Sequence, residues 1–231
     1  MEKKIRVLDI AIDDYTAKEA MQQTMEYMQS EPVSLVRILT SGSLVKSAEI
    51  EAFKDHIEQF DMVIPGDVAV LETAGVTERI KLKEAENRMY LRMIMRYLNR
   101  QRKKVFLLAD SEGELNRLRE EIALNHRHII VADYSVIEAG ETADDKVVNK
   151  INGTEVDCVI AIMSSPLQEE FVLRNQALID AKVWLALGMP FTPMGQENES
   201  WLSRFWVRRV LKKESEKLKK ASFETAQEYG F

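Results

Sequence analysis

The chain has 231 residues, 45% of them hydrophobic and 30% charged, with only 9 Gly and 5 Pro. That balance excludes collagen-like, disordered and disulfide-built classes and suits one large domain, or one domain with an appendage. Its net charge of −6 is uneven: residues 201–231 hold eight Lys/Arg against four Asp/Glu, or +4, so the rest sums to −10. An acidic body argues against nucleic acid as a partner, because phosphate must be neutralised over the body, and leaves a basic tail to meet something anionic.

In chain order, short β-branched runs alternate with helical segments, the pattern of an α/β domain on a largely parallel sheet. The predicted strands are Arg6–Ile12, Val33–Leu39, Asp61–Ile64, Lys104–Leu108, Ile129–Ala132, Val156–Ile162 and Val183–Leu187. Thr16-Ala-Lys-Glu19 is a capping box, whose hydroxyl and carboxylate satisfy orphan amides at a helix start. Met89, Leu91, Met93, Met95 and Leu98 read as adaptable core or interface packing. The basic run Arg96–Lys104 reads as a solvated helix end helped by its dipole. Ser111-Glu-Gly-Glu114 is a second capping box, opening a helix with Leu115, Leu118 and Ile122 on one face. Ser165-Pro-Leu-Gln168 has the same pattern, with Pro166 as first helical residue. The polar stretch from Gly195 to Ser200 is the one clear composition break, dividing an α/β domain (1–195) from a basic appendage (196–231).

The opening MEKKIRVLDIAIDD reads as a strand and not as a cleavable leader. No apolar run approaches the roughly 18 residues needed to cross a bilayer. The single Cys158 lies in the apolar run VDCVIAIM and reads as a buried thiol, which suits a reducing cytoplasm. His126 and His128 stand together in NHRHII without a clustered third ligand, so no metal site is expected. Walker, GxSxG and GxGxxG patterns are absent.

Ligands of open α/β sheets bind beyond the C-terminal ends of the strands, so the turns there carry the functional reading. Thr40-Ser-Gly-Ser43 follows the second predicted strand, and its hydroxyls and amides suit phosphate as well as an ordinary N-cap. Pro65-Gly66-Asp67 follows the third, with Asp67 either a general base or the cap of the next helix. Met163-Ser-Ser-Pro-Leu-Gln168 follows the sixth.

The order of these turns resembles the WecG/TagA/CpsF glycosyltransferase family. The matching stretches are LTSGSLVKSAEIEAFKDHIEQFDMVIPGD, TERI, VFLLADSEGELNRLREEI, INGTEVDCVIAIMSSPLQEEFVLRNQ, LALGMPFTPMG and WVRRVLKK, which cover most of residues 35–213. Ser165-Pro-Leu-Gln-Glu169 resembles the family's S/P-P-x-Q-E turn, and Trp206-Val-Arg-Arg209 the W-x-x-R of its C-terminal appendage. The departures fall at the turns. Thr40-Ser41-Gly42 stands where the family has Thr-x-Asn, and Gly66-Asp67 reverses its Asp-Gly pair. The Arg-Ala-Pro segment is replaced by Glu197-Asn-Glu-Ser200, and Phe191-Thr192 replaces Phe-Asp.

The resemblance implies a Rossmann-like α/β fold, a largely parallel sheet with helices on both faces, plus a basic helical appendage. It implies transfer of an N-acetylhexosamine-type sugar from a UDP donor to a lipid-linked acceptor in bacterial cell-surface polysaccharide synthesis, with no metal cofactor. In that reading Asp67 is catalytic, and Thr40, Gly42, Gly66, Arg79, Gln168 and Arg209 hold the substrate. The alternative is a catalytically impaired homologue that keeps nucleotide-sugar or anionic-lipid binding, or serves as a partner subunit. A homo-oligomer is compatible with both. Residues 201–220 combine Trp201, Leu202, Phe205, Trp206, Val210 and Leu211 with eight Lys/Arg against two Asp/Glu. This suits either an interfacial helix on an anionic membrane, at the inner face of the cell membrane, or a helix docked on the domain.

Overall fold

The computed structural model describes residues 4–47, 50–137, 141–188, 207 and 209–217. Its first elements correct the sequence expectation. The predicted strand Arg6–Ile12 is an antiparallel hairpin, β1 (Lys4–Val7) and β2 (Ile10–Asp13), paired from Lys4↔Asp13 to Val7↔Ile10. Its two-residue turn holds Leu8 and Asp9 at φ 47° and 65°, the left-handed pair that a tight hairpin requires. Leucine is a poor residue for that region, so the turn carries no Asn-Gly type signal in the sequence.

The remaining strands form one parallel sheet in the order β4-β3-β8-β7-β5-β6. These are β3 (Ser34–Leu39), β4 (Met62–Pro65), β5 (Lys104–Ala109), β6 (Ile130–Val136), β7 (Cys158–Ile162) and β8 (Val183–Leu187). The helices are α1 (Ala17–Tyr27), α2 (Ser41–Ser47), α3 (Glu51–Ile57), α4 (Val68–Thr73), α5 (Arg79–Glu86), α6 (Met89–Arg100), α7 (Glu112–Asn125), α8 (Glu141–Asn152) and α9 (Leu167–Asn175). The expected fold class is the observed one. Most predicted strands differ by a residue or two at their ends; β6 runs on to Val136 because edge pairing with β5 continues through the polar Asp133 and Ser135.

Side chains alternate between the sheet faces, and both faces are covered, which is why the central strands read as continuous apolar runs. One face, with Leu35, Leu39, Phe106, Leu108 and Trp184, packs on α2, α3, α8 and α9 through Leu44, Phe53, Ile151 and Phe171. The other, with Val36, Ile38, Leu107, Ile160 and Leu185, packs on α1, α6 and α7 through Met21, Ile94, Met95, Leu98, Leu115 and Leu118. Met95, Leu91 and Leu98 of the Met-rich stripe are therefore core. The Thr16–Glu19 capping box forms in full. At α7 only the Ser111 half forms, because the Glu114 carboxylate pairs with Arg117.

The basic tail is tied to this body. Residues 209–217 are helical, and Leu211 is 0% exposed within the cluster that contains Phe53 and Phe171, with Val207 packed against it. Docking on the domain thus holds for this part of the appendage, whereas Trp201, Leu202, Phe205 and Trp206 lie outside the described residues. No helix among the described residues is long and apolar enough to cross a membrane.

Candidate functional site

The parallel strands end together, and their exit turns meet along one edge of the sheet. At the first of these turns, Asp67 is the N-cap of α4, its Oδ1 accepting from the Val70 amide at 3.1 Å. Its Oδ2 crosses to the neighbouring turn and accepts both the Ser41 amide and the Ser41 hydroxyl, each at 2.8 Å. The carboxylate therefore holds the β3 and β4 exits together while ending a strand and starting a helix. An ionised carboxylate has about four lone-pair sites, so the three donors found among the described residues leave one.

Thr40 sits between two glycines. A Cβ on Gly66 would lie 2.8 Å from Thr40 Cγ2 and 3.1 Å from the Leu39 carbonyl, and one on Gly188 would lie 2.3 Å from Thr40 Cγ2. Both positions must stay bare for the β3, β4 and β8 exits to close around Thr40. Thr40 Oγ1 meets Ser43 Oγ at 3.1 Å and accepts the Ser43 amide at 3.2 Å. The Thr40-Ser-Gly-Ser43 turn is thus an N-terminal cap, and its Gly42 amide has no acceptor among the described residues.

The same construction recurs at the other side. Asp110, leaving β5, accepts the Ser164 amide at 2.8 Å and the Ser164 hydroxyl at 2.7 Å, drawing in the β7 exit. From β5 the chain passes to β6 by way of α7 on one face; from β7 it passes to β8 by way of α9 on the other. Adjacent strands whose connections diverge in this way open a crevice at their C-terminal ends.

Arg37 joins the two sides. It lies mid-strand in β3, with its side chain wholly buried, and faces Glu169 of α9 at 3.0 Å. One guanidinium nitrogen donates to the Leu187 carbonyl at 2.9 Å; the other donates to Ser43 Oγ at 3.2 Å and Ser165 Oγ at 3.0 Å. Burial pushes the Arg37 guanidinium below its ordinary value, and the Glu169 carboxylate opposes that shift. The guanidinium remains the charged form, because no protein environment deprotonates it.

Gln168 does not act as a capping-box residue. The expected Ser165-x-x-Gln168 box is absent: Ser165 Oγ donates to Glu169 Oε1 at 3.1 Å, and α9 begins at Leu167 after a cis Ser165–Pro166 bond, with no side-chain cap. The Gln168 side chain, 0% exposed, turns instead to the sheet edge and donates to the Leu187 carbonyl at 2.9 Å. Its Oε1 is buried with no hydrogen-bond partner among the described residues.

Thr40, Gly42, Gly66, Asp67 and Gln168 therefore belong to one edge. Arg79 stands exposed at the start of α5, and Arg209 is exposed on the tail helix; neither is hydrogen-bonded to these turns among the described residues. Sequence reasoning passed over Arg37, Asp110, Ser41 and Ser164 as site residues. Arg37 did leave a signal, as the one charge inside the otherwise apolar run of a fully buried strand. No group of three His, Cys, Asp or Glu suited to a metal occurs among the described residues. Cys158 is buried, and burial pushes its thiol well above the ordinary value.

No match to this chain was found among curated proteins. The family model described as "Glycosyl transferase WecG/TagA/CpsF family" matches residues 5–200, which takes in every strand of the sheet and every turn of the edge just described. The chain belongs to the WecG/TagA/CpsF glycosyltransferase family.

Proposed function

We propose that this chain transfers an N-acetylhexosamine-type sugar from a UDP donor to a lipid-linked acceptor in cell-surface polysaccharide synthesis, without a metal. The observation that carries the reading is the meeting of the Thr40, Asp67 and Gln168 turns at one sheet edge in a chain of glycosyltransferase type. In the reaction an acceptor hydroxyl oxygen bonds to the sugar's anomeric carbon, the bond from that carbon to the diphosphate oxygen breaks, and UDP leaves. Asp67 takes the hydroxyl proton on the lone pair that Ser41 and Val70 leave unused. The bare Gly42 and its open amide suit a phosphate oxygen. Thr40 and Gln168 line the donor, and Arg79 and Arg209 approach the diphosphate, where a planar guanidinium pairs with two oxygens at once. The basic side chains of segment 201–220 draw the protein to the anionic inner face of the membrane, while Leu211 keeps the segment docked on the domain.

A second reading, retained binding without turnover, is favoured by Gly66. The family's carboxylate position falls there in an ungapped comparison, and any side chain on it would strike Thr40. Incubating the protein with a panel of UDP-sugars and following UDP release separates the two. Release with an acceptor present supports transfer, binding without release leaves the second reading, and neither binding nor release removes both.

A further inference from the structure

The Arg37–Glu169 pair has no explanation in the donor site's own contacts. Arg37 spends its terminal nitrogens on protein acceptors: the Ala186 and Leu187 carbonyls, two serine hydroxyls and the Glu169 carboxylate. It has no free fork to offer a diphosphate. Net stability does not explain the pair either. An ion pair this deep roughly repays its own desolvation, and then only when every lone pair and proton is satisfied. Arg37 Nε and Glu169 Oε2 are buried without a partner among the described residues.

What the pair does touch is informative. Ser43 belongs to the β3 exit, Leu187 to the end of β8, and Ser165 and Glu169 to the β7 exit. These are three adjacent strands of the sheet. Gln168 donates to the same Leu187 carbonyl that Arg37 does. One guanidinium therefore fixes the distance between the Thr40–Ser43 turn and the Ser164–Gln168 turn. The two aspartate clamps cannot do this, since each ties only one pair of neighbouring strands.

We propose that Arg37 and Glu169 are positioning residues, holding these two turns in the relative placement that a nucleotide-diphosphate sugar needs across them. The ligand named here rests on the donor reading above; the positioning itself does not. A planar fork reaching several acceptors at once is a task for arginine that lysine's point charge does not fill.

The test compares the full-length wild type with Arg37→Met/Glu169→Leu by thermal melting, amide hydrogen exchange and calorimetric titration with UDP. Replacing a buried pair by apolar residues of similar size is often neutral or stabilising, so the double variant is expected to melt at or above the wild type. The hydrogen-bonded amides of Ser41, Ser43, Leu44, Ser164 and Gln168 should nonetheless exchange on the order of tenfold faster, and UDP affinity should fall on the order of tenfold. A folded double variant with wild-type exchange at both turns overturns the proposal. If the double variant does not fold, Ser165→Ala decides, because it keeps the ion pair with Glu169 of α9 and removes the guanidinium's hydrogen bond to the Ser164–Gln168 turn itself. Faster exchange at 164–168 with unchanged melting supports positioning, and unchanged exchange overturns it. A wild type that binds no UDP sinks the donor reading alone, and the exchange comparison still decides the positioning.

Discussion

The two aspartate clamps use the same bonds for different purposes. Asp67 and Asp110 each accept an amide and a hydroxyl from the serine that begins the neighbouring exit turn, all within 2.7–2.8 Å. At the β3/β4 side, the same carboxylate also caps α4. At the β5/β7 side, the cap of α7 is a separate residue, Ser111, whose hydroxyl accepts the Glu114 amide. One carboxylate carries two tasks in the first case, and two neighbours divide them in the second. The first arrangement is the tighter, because Gly66 and Gly188 let three exits close on Thr40. In the second, the other oxygen of Asp110 has no partner among the described residues.

The comparison can be broken by substitution. The largest expected effect is on chemistry. Asp67→Asn keeps one acceptor oxygen but turns its NH2 group onto either the Ser41 or the Val70 donors, so it should cost about 1–2 kcal/mol of stability, yet lower UDP release at least about a hundredfold. A wild-type rate would reduce Asp67 to a structural clamp like Asp110. Asp67→Ala removes clamp and cap together and should cost about 2–4 kcal/mol in denaturant unfolding. Asp110→Ala removes only a clamp and should cost about 1–3 kcal/mol, with α7 intact by amide exchange. Equal losses for the two alanine variants would show that the α4 cap contributes nothing. The smallest effect belongs to Ser111→Ala, about 0.5–1 kcal/mol, since its capping bond is long at 3.4 Å. Adding Ser111→Ala to Asp110→Ala should bring the β5/β7 side close to the Asp67→Ala loss. A sum that falls well short would mean that the two tasks are coupled in Asp67 and not merely combined there.

Much of the site was legible because exit turns announce themselves by residue type. Small hydroxyls, Gly, Pro and Asp cluster after apolar runs, and three such clusters drew attention to Thr40, Asp67 and Gln168. Residue type does not give the partner each side chain takes. A capping-box pattern at Ser165–Gln168 is a statement about local partners, and it failed because Leu187 and Glu169, far away or just beyond the pattern, offered better ones. The hairpin at Leu8–Asp9 failed for the converse reason: its conformation is imposed by the strands on either side, not favoured by the turn residues.

By itself the sequence determined the alternation of strands and helices and the capping box at Thr16–Glu19. These depend on side-chain periodicity and on partners within a few residues, which a chain displays directly. Only the tertiary structure decided that Arg37, a lone charge in an apolar strand, is paired with Glu169 and reaches three strand exits. Only it decided that Gly66 and Gly188 are bare because Thr40 stands between them, and that Leu211 of the basic tail belongs to the core. Each of these joins residues far apart in sequence. Such contacts depend on which strands become neighbours, and strand order is a property of the packed sheet that no local pattern encodes.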